Sequence, residues 1–387
     1  MKKVKVGNIA KIFNGYAFKS TEYSEAGFQV IRITNVQNGY ISNDNQKFIE
    51  LKNKSLERFI LNEGDILISL TGNVGRVGKI GKENLPAVLN QRVGKVIIQS
   101  KEVISDYLFH ILKSNVVESK LIENAKGIAQ KNIGSSDIEN IEIPLPSLED
   151  QKRIVKILDE ADALRKKRKQ AIVLLDDYLK SVFLEMFGDP VKNEKGWEIK
   201  MLKNLTNKLG DGLHGTPKFC DTGDYYFING NNLENGKIII KDSTKRVSFE
   251  EYKKYQKPLD ETSMLVSING TLGRVAFYKN EKIILGKSAC YFNIKRDEVN
   301  SIYLYNILQS DFFLKYADQN STGSTIRNVS LKTMREFPII YPPLNMQNIF
   351  GDIVAKNEKV KALMLAQSVE LENQFQVLIQ KAFKGEL

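Results

Sequence analysis

Two matching loops carry most of the chemistry this sequence offers: Ser69-Leu70-Thr71-Gly72-Asn73-Val74-Gly75-Arg76 and Ser267-Ile268-Asn269-Gly270-Thr271-Leu272-Gly273-Arg274. Glycine lets a backbone approach a ligand closely, while Asn, Thr and Arg supply donors and acceptors suited to base edges and phosphates. Three further loop pairs share this character. Lys126-Gly127-Ile128-Ala129-Gln130-Lys131-Asn132 matches Thr322-Gly323-Ser324-Thr325-Ile326-Arg327-Asn328. Arg32, Thr34 and Asn35 match Asn229, Asn231 and Asn232, each set ahead of an Asn-Gly turn, and Asn90-Gln91-Arg92 matches Gly286-Lys287-Ser288. A single loop of this kind also reads as a turn with solvated side chains. Recurrence at equivalent places with altered polar residues points instead to two modules reading two different short sequences, and the polar residues of these loops are the candidate DNA-binding set.

Catalytic chemistry finds little support. Only His110 and His214 offer imidazole bases, and His110 falls in an apolar helical pattern that suits a structural role. No G-x-S-x-G elbow occurs. Leu285-Gly286-Lys287-Ser288 resembles the end of a phosphate loop, but Glu281 stands where its upstream glycine belongs. Tyr341-Pro342-Pro343-Leu344 lacks both the leading amide or acid and the trailing aromatic needed to grip a flipped base. With no Gly-rich strand-to-helix loop for a methyl-donor cofactor, the expectation is a chain without a catalytic, cofactor or metal site.

Lys and Arg number 57 against 46 Asp and Glu, giving a net charge of +11 and a pI near 9.2, which favours a polyanionic partner. A two-module protein-binding adaptor with incidental charge is the alternative on these grounds. Cys220 and Cys290 are the only cysteines and form no C-x-x-C pair, so neither a disulfide framework nor a zinc knuckle is expected. No apolar run approaches the roughly 18 residues of a membrane span, and Lys11 interrupts the apolar start, so a cytoplasmic location is expected.

The elements that must position these loops occur twice. Tyr107, Leu108, Ile111, Leu112 and Ser114 recur as Tyr303, Leu304, Ile307, Leu308 and Ser310, an offset of 303 − 107 = 196. The same offset carries Gly127 to Gly323, Pro146 to Pro342, Gln151 to Gln347 and Phe187 to Phe383. A period this long means that each copy is a whole domain plus a connector. Short β-rich runs such as Phe28 to Ile33, Asp65 to Leu70 and Gly94 to Ile98, with helices over Ser55 to Leu61 and from an Asp106 N-cap onward, predict an α+β, strand-dominated module.

Each module closes with prolines, Pro144 and Pro146 or Pro342 and Pro343, after which a long helix is predicted. The segments expected are a recognition domain over 1–147, a helix over 148–188, a second recognition domain over 189–343 and a second helix over 344–387. Ile157, Ala161, Leu164, Arg168, Ala171, Leu175, Tyr178 and Val182 step as a coiled-coil seam, and Ile353, Asn357, Val360, Met364, Gln367, Leu371, Gln374 and Leu378 occupy equivalent positions. A 40-residue helix is a rod of roughly 60 Å, too long for one such domain to cover, so the two helices are expected to pair as an antiparallel coiled coil about a pseudo-twofold repeat.

The plan of domain, helix, domain, helix resembles the specificity subunit of Type I restriction-modification systems over the whole chain. Ile143-Pro144-Leu145-Pro146-Ser147-Leu148-Glu149-Asp150-Gln151-Lys152-Arg153-Ile154 is similar to that family's approach to its first conserved helix, and Lys381-Ala382-Phe383-Lys384-Gly385-Glu386-Leu387 to its C-terminal end. Gly64-Asp65-Ile66-Leu67-Ile68-Ser69 resembles a recognition-domain strand, although the second copy has Glu261-Thr262-Ser263-Met264 where the family usually shows Gly-Asp. The resemblance implies binding of a bipartite asymmetric DNA site, one domain per half-site, with the helices measuring the gap. It also implies a non-catalytic chain that recruits two methylation subunits holding S-adenosylmethionine, which restriction subunits using ATP and Mg can join.

Overall fold

The computed structural model describes residues 2–51, 53–125, 131–322 and 327–387. Val93–Ile98 lies inside a four-stranded antiparallel sheet, paired on one side with Ala10–Asn14 and on the other with Ile66–Ser69, beyond which Val77–Lys79 forms the edge. A second four-stranded sheet runs Phe48–Ile49, Phe28–Ile31, Ala87–Leu89, Ile60–Leu61, with one parallel pair at Phe28–Ile31 and Ala87–Leu89. The repeat builds the same first sheet and a second sheet that keeps the parallel pair but adds its outer strand at the opposite edge. Thr206–Asp211, Ala289–Ile294, Ser263–Ser267 and Val275–Phe277 form one, and Phe219–Cys220, Arg246–Val247, Tyr225–Ile228 and Ile283–Leu285 the other, again with one parallel pair.

Strand ends are shorter than the sequence pattern suggests, for identifiable reasons. The run from Phe28 stops at Ile31 because the Asn35 side chain captures the Arg32 N–H and turns the chain. Over Ser55 to Leu61 the chain forms a 3₁₀ helix only across Lys54–Phe59, since Ile60–Leu61 pairs with Ala87–Leu89 as a strand. Asp106 does not cap its helix. That helix spans Ser105–Leu112 with Ile104 at the N-cap, and Asp106 instead forms an ion pair with Lys79. The equivalent helix, Ser301–Gln309, has a true cap: Asn300 Oδ1 accepts from the N–H groups of Ile302 and Tyr303 at 2.8 and 3.2 Å.

The long helices span Leu148–Phe187 and Leu344–Lys384. Compact units cut across the linear segments: Met1–Gln170 with Ala366–Leu387 form one, and Ala171–Leu365 the other. Each unit thus contains a piece of both long helices, running antiparallel. In the first, Ile154, Leu158, Phe375, Ile379 and Ala382 join the domain core, and Arg165 donates to Glu372 at 3.1 Å across a cation–π contact with Phe375. In the second, Phe183, Phe187, Phe350 and Val354 join the domain core, and Lys361 pairs with Asp176 at 2.5 Å.

The seam departs from the heptad assignment. Leu164 and Tyr178 are exposed, as are Val360, Gln367 and Gln374, whereas Leu158, Arg165 and Leu179 turn inward beside Phe375, Ile379 and Phe350. The helix segments must dock on their recognition domains as well as on each other, and the buried stripe follows that wider surface. Asn357 is the seam amide that is buried, its Nδ2 donating to the Leu175 carbonyl at 3.3 Å.

Candidate nucleic-acid interface

One device shapes the strongest loop in both units. Ser69 Oγ donates to the Asn73 carbonyl and accepts the Arg76 N–H at 3.1 Å; Ser267 Oγ donates to the Thr271 carbonyl at 2.6 Å and accepts the Arg274 N–H at 2.8 Å. The tight return needs left-handed backbone at both glycines of each copy, with φ of 74° and 84° at Gly72 and Gly75, and 77° and 76° at Gly270 and Gly273. Asn73 and Thr271 are left at the exposed tips, and the Arg76 and Arg274 side chains are directed toward the neighbouring hairpins. Arg76 donates to Gln37 Oε1 at 3.0 Å, and Arg274 to the Asn231 carbonyl at 3.5 Å.

Backbone pairing joins this loop to its neighbours. The Gly72 N–H donates to Lys131 O at 2.9 Å and Thr71 bridges Asn132; the Gly270 N–H donates to Arg327 O at 3.0 Å and Asn269 bridges Asn328. Leu70 N–H reaches Arg92 O at 3.0 Å, as Ile268 N–H reaches Ser288 O at 2.9 Å. Loops separated by up to about 60 residues therefore form one continuous rim in each unit, where Asn73, Arg76, Gln91, Arg92, Lys131 and Asn132 gather in the first, and Thr271, Arg274, Lys287, Thr322, Arg327 and Asn328 in the second. In the first unit Asn73, Arg76 and Lys131 line a shallow cleft of about 200 Å³ with Glu118 and Ile122. Arg327 is paired with Asp318 at 2.7 Å.

Several expected readout residues prove to be scaffold. Asn35 is fully buried: it accepts the Arg32 N–H at 3.1 Å and donates to the Ser42 and Asp44 carbonyls at 3.1 and 3.0 Å. Asn232 repeats the arrangement, accepting the Asn229 N–H at 3.0 Å and donating to Ile239 O at 2.9 Å. An amide that holds its own turn has no group to spare for a base. Asn90 is buried with Oδ1 on the Arg92 N–H at 3.2 Å, and Arg32 folds back onto the Asn45 carbonyl. Ser288 accepts the Gly230 N–H at 2.8 Å and donates to Asn229 Oδ1 at 3.0 Å, so this pair fastens two loops together. Lys126, Gln130, Ser324 and Thr325 lie outside the described residues.

A further loop belongs to each rim and was not singled out from sequence. Tyr16 N–H donates to Leu89 O and Gln91 N–H to Tyr16 O, both at 2.9 Å; Leu213 N–H donates to Leu285 O at 2.6 Å and Lys287 N–H to Leu213 O at 3.0 Å. A side chain at the preceding glycine would strike backbone, since a Cβ on Gly15 would lie 2.3 Å from Leu89 O and one on Gly212 2.2 Å from Gly286 O. The signal available in sequence was the pair Asn14-Gly15 and Asp211-Gly212, at an offset of 211 − 14 = 197. This loop brings the exposed Tyr16 and His214 to the rim.

Among the described residues no cluster of His, Cys, Asp and Glu suited to a metal occurs, and no helix is long and apolar enough to cross a membrane. Burial pushes the Cys290 thiol up to about 12, far from a reactive thiolate.

Comparison with known proteins accords with this architecture. A Type I restriction enzyme specificity subunit of Methanocaldococcus jannaschii, MjaVIII, is 27% identical over 98% of this chain and 89% of its own length. The EcoBI specificity subunit of Escherichia coli is 22% identical over 100% of this chain and 86% of its own. Among solved structures, the S subunit of a Type I restriction-modification system from M. genitalium superposes with a TM-score of 0.54 at 15% identity, covering 99% of this chain and 96% of that one. A chain from a study of complex assembly and conformational transition of the type I R-M system gives 0.63 at 18% identity, covering 100% and 98%. The family described as Type I restriction modification DNA specificity domain matches residues 1–174 and again 194–373, and the chain belongs to that family.

Proposed function

We propose that the chain is the DNA-recognition subunit of a Type I restriction-modification complex, acting in the cytoplasm and catalysing nothing itself. Each recognition domain reads one half of a bipartite, asymmetric DNA site. The long helices set the gap between the halves and dock two methyltransferase subunits, through which restriction subunits join. S-adenosylmethionine then belongs to the methyltransferase subunits, and ATP and Mg to the restriction subunits.

The observation that carries this reading is the twice-built rim. Its backbone is the same in both units, while its exposed side chains differ, Asn73 against Thr271 and Gln91 against Lys287. Shared backbone with changed donors and acceptors is what reading two unlike half-sites requires, because phosphate contacts position a protein while base contacts specify sequence. Exposed apolar residues along the long helices, among them Leu164, Val173, Leu174 and Val369, support their use as docking surfaces.

Genome-wide base-modification sequencing of cells with and without this gene, its partner methyltransferase being present, tests the proposal. Loss of one bipartite methylated motif is expected, and it would deliver both half-sites and the gap. An unchanged methylome, together with DNA binding by the assembled complex that ignores salt, would overturn it, since neutralising phosphates must release counterions.

A further inference from the structure

The two rims differ most at the loop that follows Gly15 and Gly212. In the first unit the Asn14 side chain is occupied by Ser135, whose Oγ donates to Asn14 Oδ1 at 2.7 Å, and the position equivalent to His214 is Ala17. In the second unit His214 Nε2–H donates to Asp211 Oδ2. The imidazole is 74% exposed, and Nδ1 has no partner among the described residues. Leu213, next to it, is locked between Leu285 and Lys287 by two backbone hydrogen bonds, so the ring stands on a fixed part of the rim rather than on a free tip.

A carboxylate on one ring nitrogen fixes which nitrogen carries the proton of a neutral imidazole. In the neutral ring, with Nε2–H given to Asp211, the outward Nδ1 is an acceptor. An acceptor cannot pair with a phosphate oxygen, and Lys287, Arg274 and Arg327 already supply cations along this rim. The groups in the major groove that offer hydrogens are the exocyclic amines of adenine and cytosine. We propose, on the basis of the DNA-recognition reading above, that His214 reads an exocyclic amino group, adenine N6 or cytosine N4, in the half-site of the second recognition domain, with Asp211 as its positioning residue.

The test uses the chain assembled with its methyltransferase subunits and duplexes carrying the motif found by modification sequencing. Each amino-bearing base is replaced in turn by an analogue lacking the amine, purine for adenine and 2-pyrimidinone for cytosine, and binding is measured for wild type, His214→Ala and Asp211→Ala. At one base pair, wild type should lose roughly 5- to 150-fold on removal of the amine. His214→Ala should bind the natural duplex weaker by a similar factor and be indifferent to the analogue there. Asp211→Ala should show a partial loss at the same base pair only. Which analogue acts distinguishes adenine from cytosine.

The proposal fails if His214→Ala follows wild type at every base pair, if it weakens all duplexes equally, or if the sensitive base pair lies in the half-site altered by Arg76→Ala. A bipartite motif in wild type with any of these results overturns the His214 assignment alone. Absence of a bipartite motif in wild type overturns the DNA-recognition reading and the assignment with it.

Discussion

Gln151 Oε1 accepts the Ile104 N–H at 2.8 Å, tying the first turn of the first long helix to the start of a recognition-domain helix. Its Nε2 donates to the Glu102 and Pro146 carbonyls at 2.8 and 3.0 Å, and Gln347 repeats the pattern on Asn300 N–H and Pro342 O at 2.9 and 2.8 Å. Both glutamines are fully buried. Replacing either with Ala strands a backbone N–H together with two carbonyls at Gln151 or one at Gln347, at a cost of about 1–3 kcal/mol. Urea unfolding of Gln151→Ala and Gln347→Ala should register that loss; midpoints unchanged from wild type would show that the clamp contributes nothing.

Arg76 and Arg274 occupy the same place in the two rims, so their removal should have separable effects. Methylome mapping of Arg76→Ala should show relaxed choice at one position of one half-site, and of Arg274→Ala at one position of the other. A good bidentate contact is worth about 1–3 kcal/mol of discrimination, enough to make the change visible as a second permitted base. Relaxation in the same half-site for both variants would contradict the assignment of one domain to each half.

If the helices set the gap, matched insertions should lengthen it. Lys169 and Gln367 are exposed and lie on opposed helix segments of the first unit. One heptad added after each preserves the helical face and adds about 10 Å at 1.5 Å per residue. The methylated motif of such a variant should gain about three unread base pairs, given one base pair per 3.4 Å. A motif with the original gap would refute the ruler.

His110 is buried against Asp159, its Nε2 at 2.8 Å from Oδ1, with Lys113, Asp162 and Arg165 close by. Burial, reinforced by the Lys113 ammonium, lowers its pKa below the ordinary 6.5, with Asp159 opposing. A base with a depressed folded pKa binds fewer protons folded than unfolded. Its contribution is therefore fully present above 6.5 and is lost as pH falls from there through the folded value. His110→Asn, which installs the residue found at the equivalent Asn306, should flatten the decline in thermal stability over that acid window. A parallel decline in variant and wild type would assign the acid sensitivity elsewhere.

Much of the fold could be read from residue order because the repeat supplies its own control. The first long helix, without Gly or Pro, its repeat and the paired Gly-x-x-Gly-Arg loops were recognisable, since all depend on local backbone requirements repeated at a nearly constant offset. The seam was read less well. Heptad spacing at Leu164 and Tyr178 carries no information about the recognition-domain surface that also competes for each helix. The site was legible as a set of loops and illegible as roles. Asn35 and Asn73 look alike in sequence, yet one is consumed by its own turn and the other stands exposed, a difference decided by contacts seven to nine residues away, at Ser42 and Asp44.

The exchange of helix segments between units also orders events on the ribosome. The second unit ends at Leu365, while the first needs Phe375, Ile379 and Ala382 from the last stretch of chain to finish its core. The recognition domain made first is thus completed after the second, and until Phe375, Ile379 and Ala382 have been synthesised, Ile154 and Leu158 await those partners. A chain that stops at Leu365 would carry a complete second unit and an unfinished first one, so quality control acting on exposed apolar surface could tell it from a chain that includes Phe375, Ile379 and Ala382.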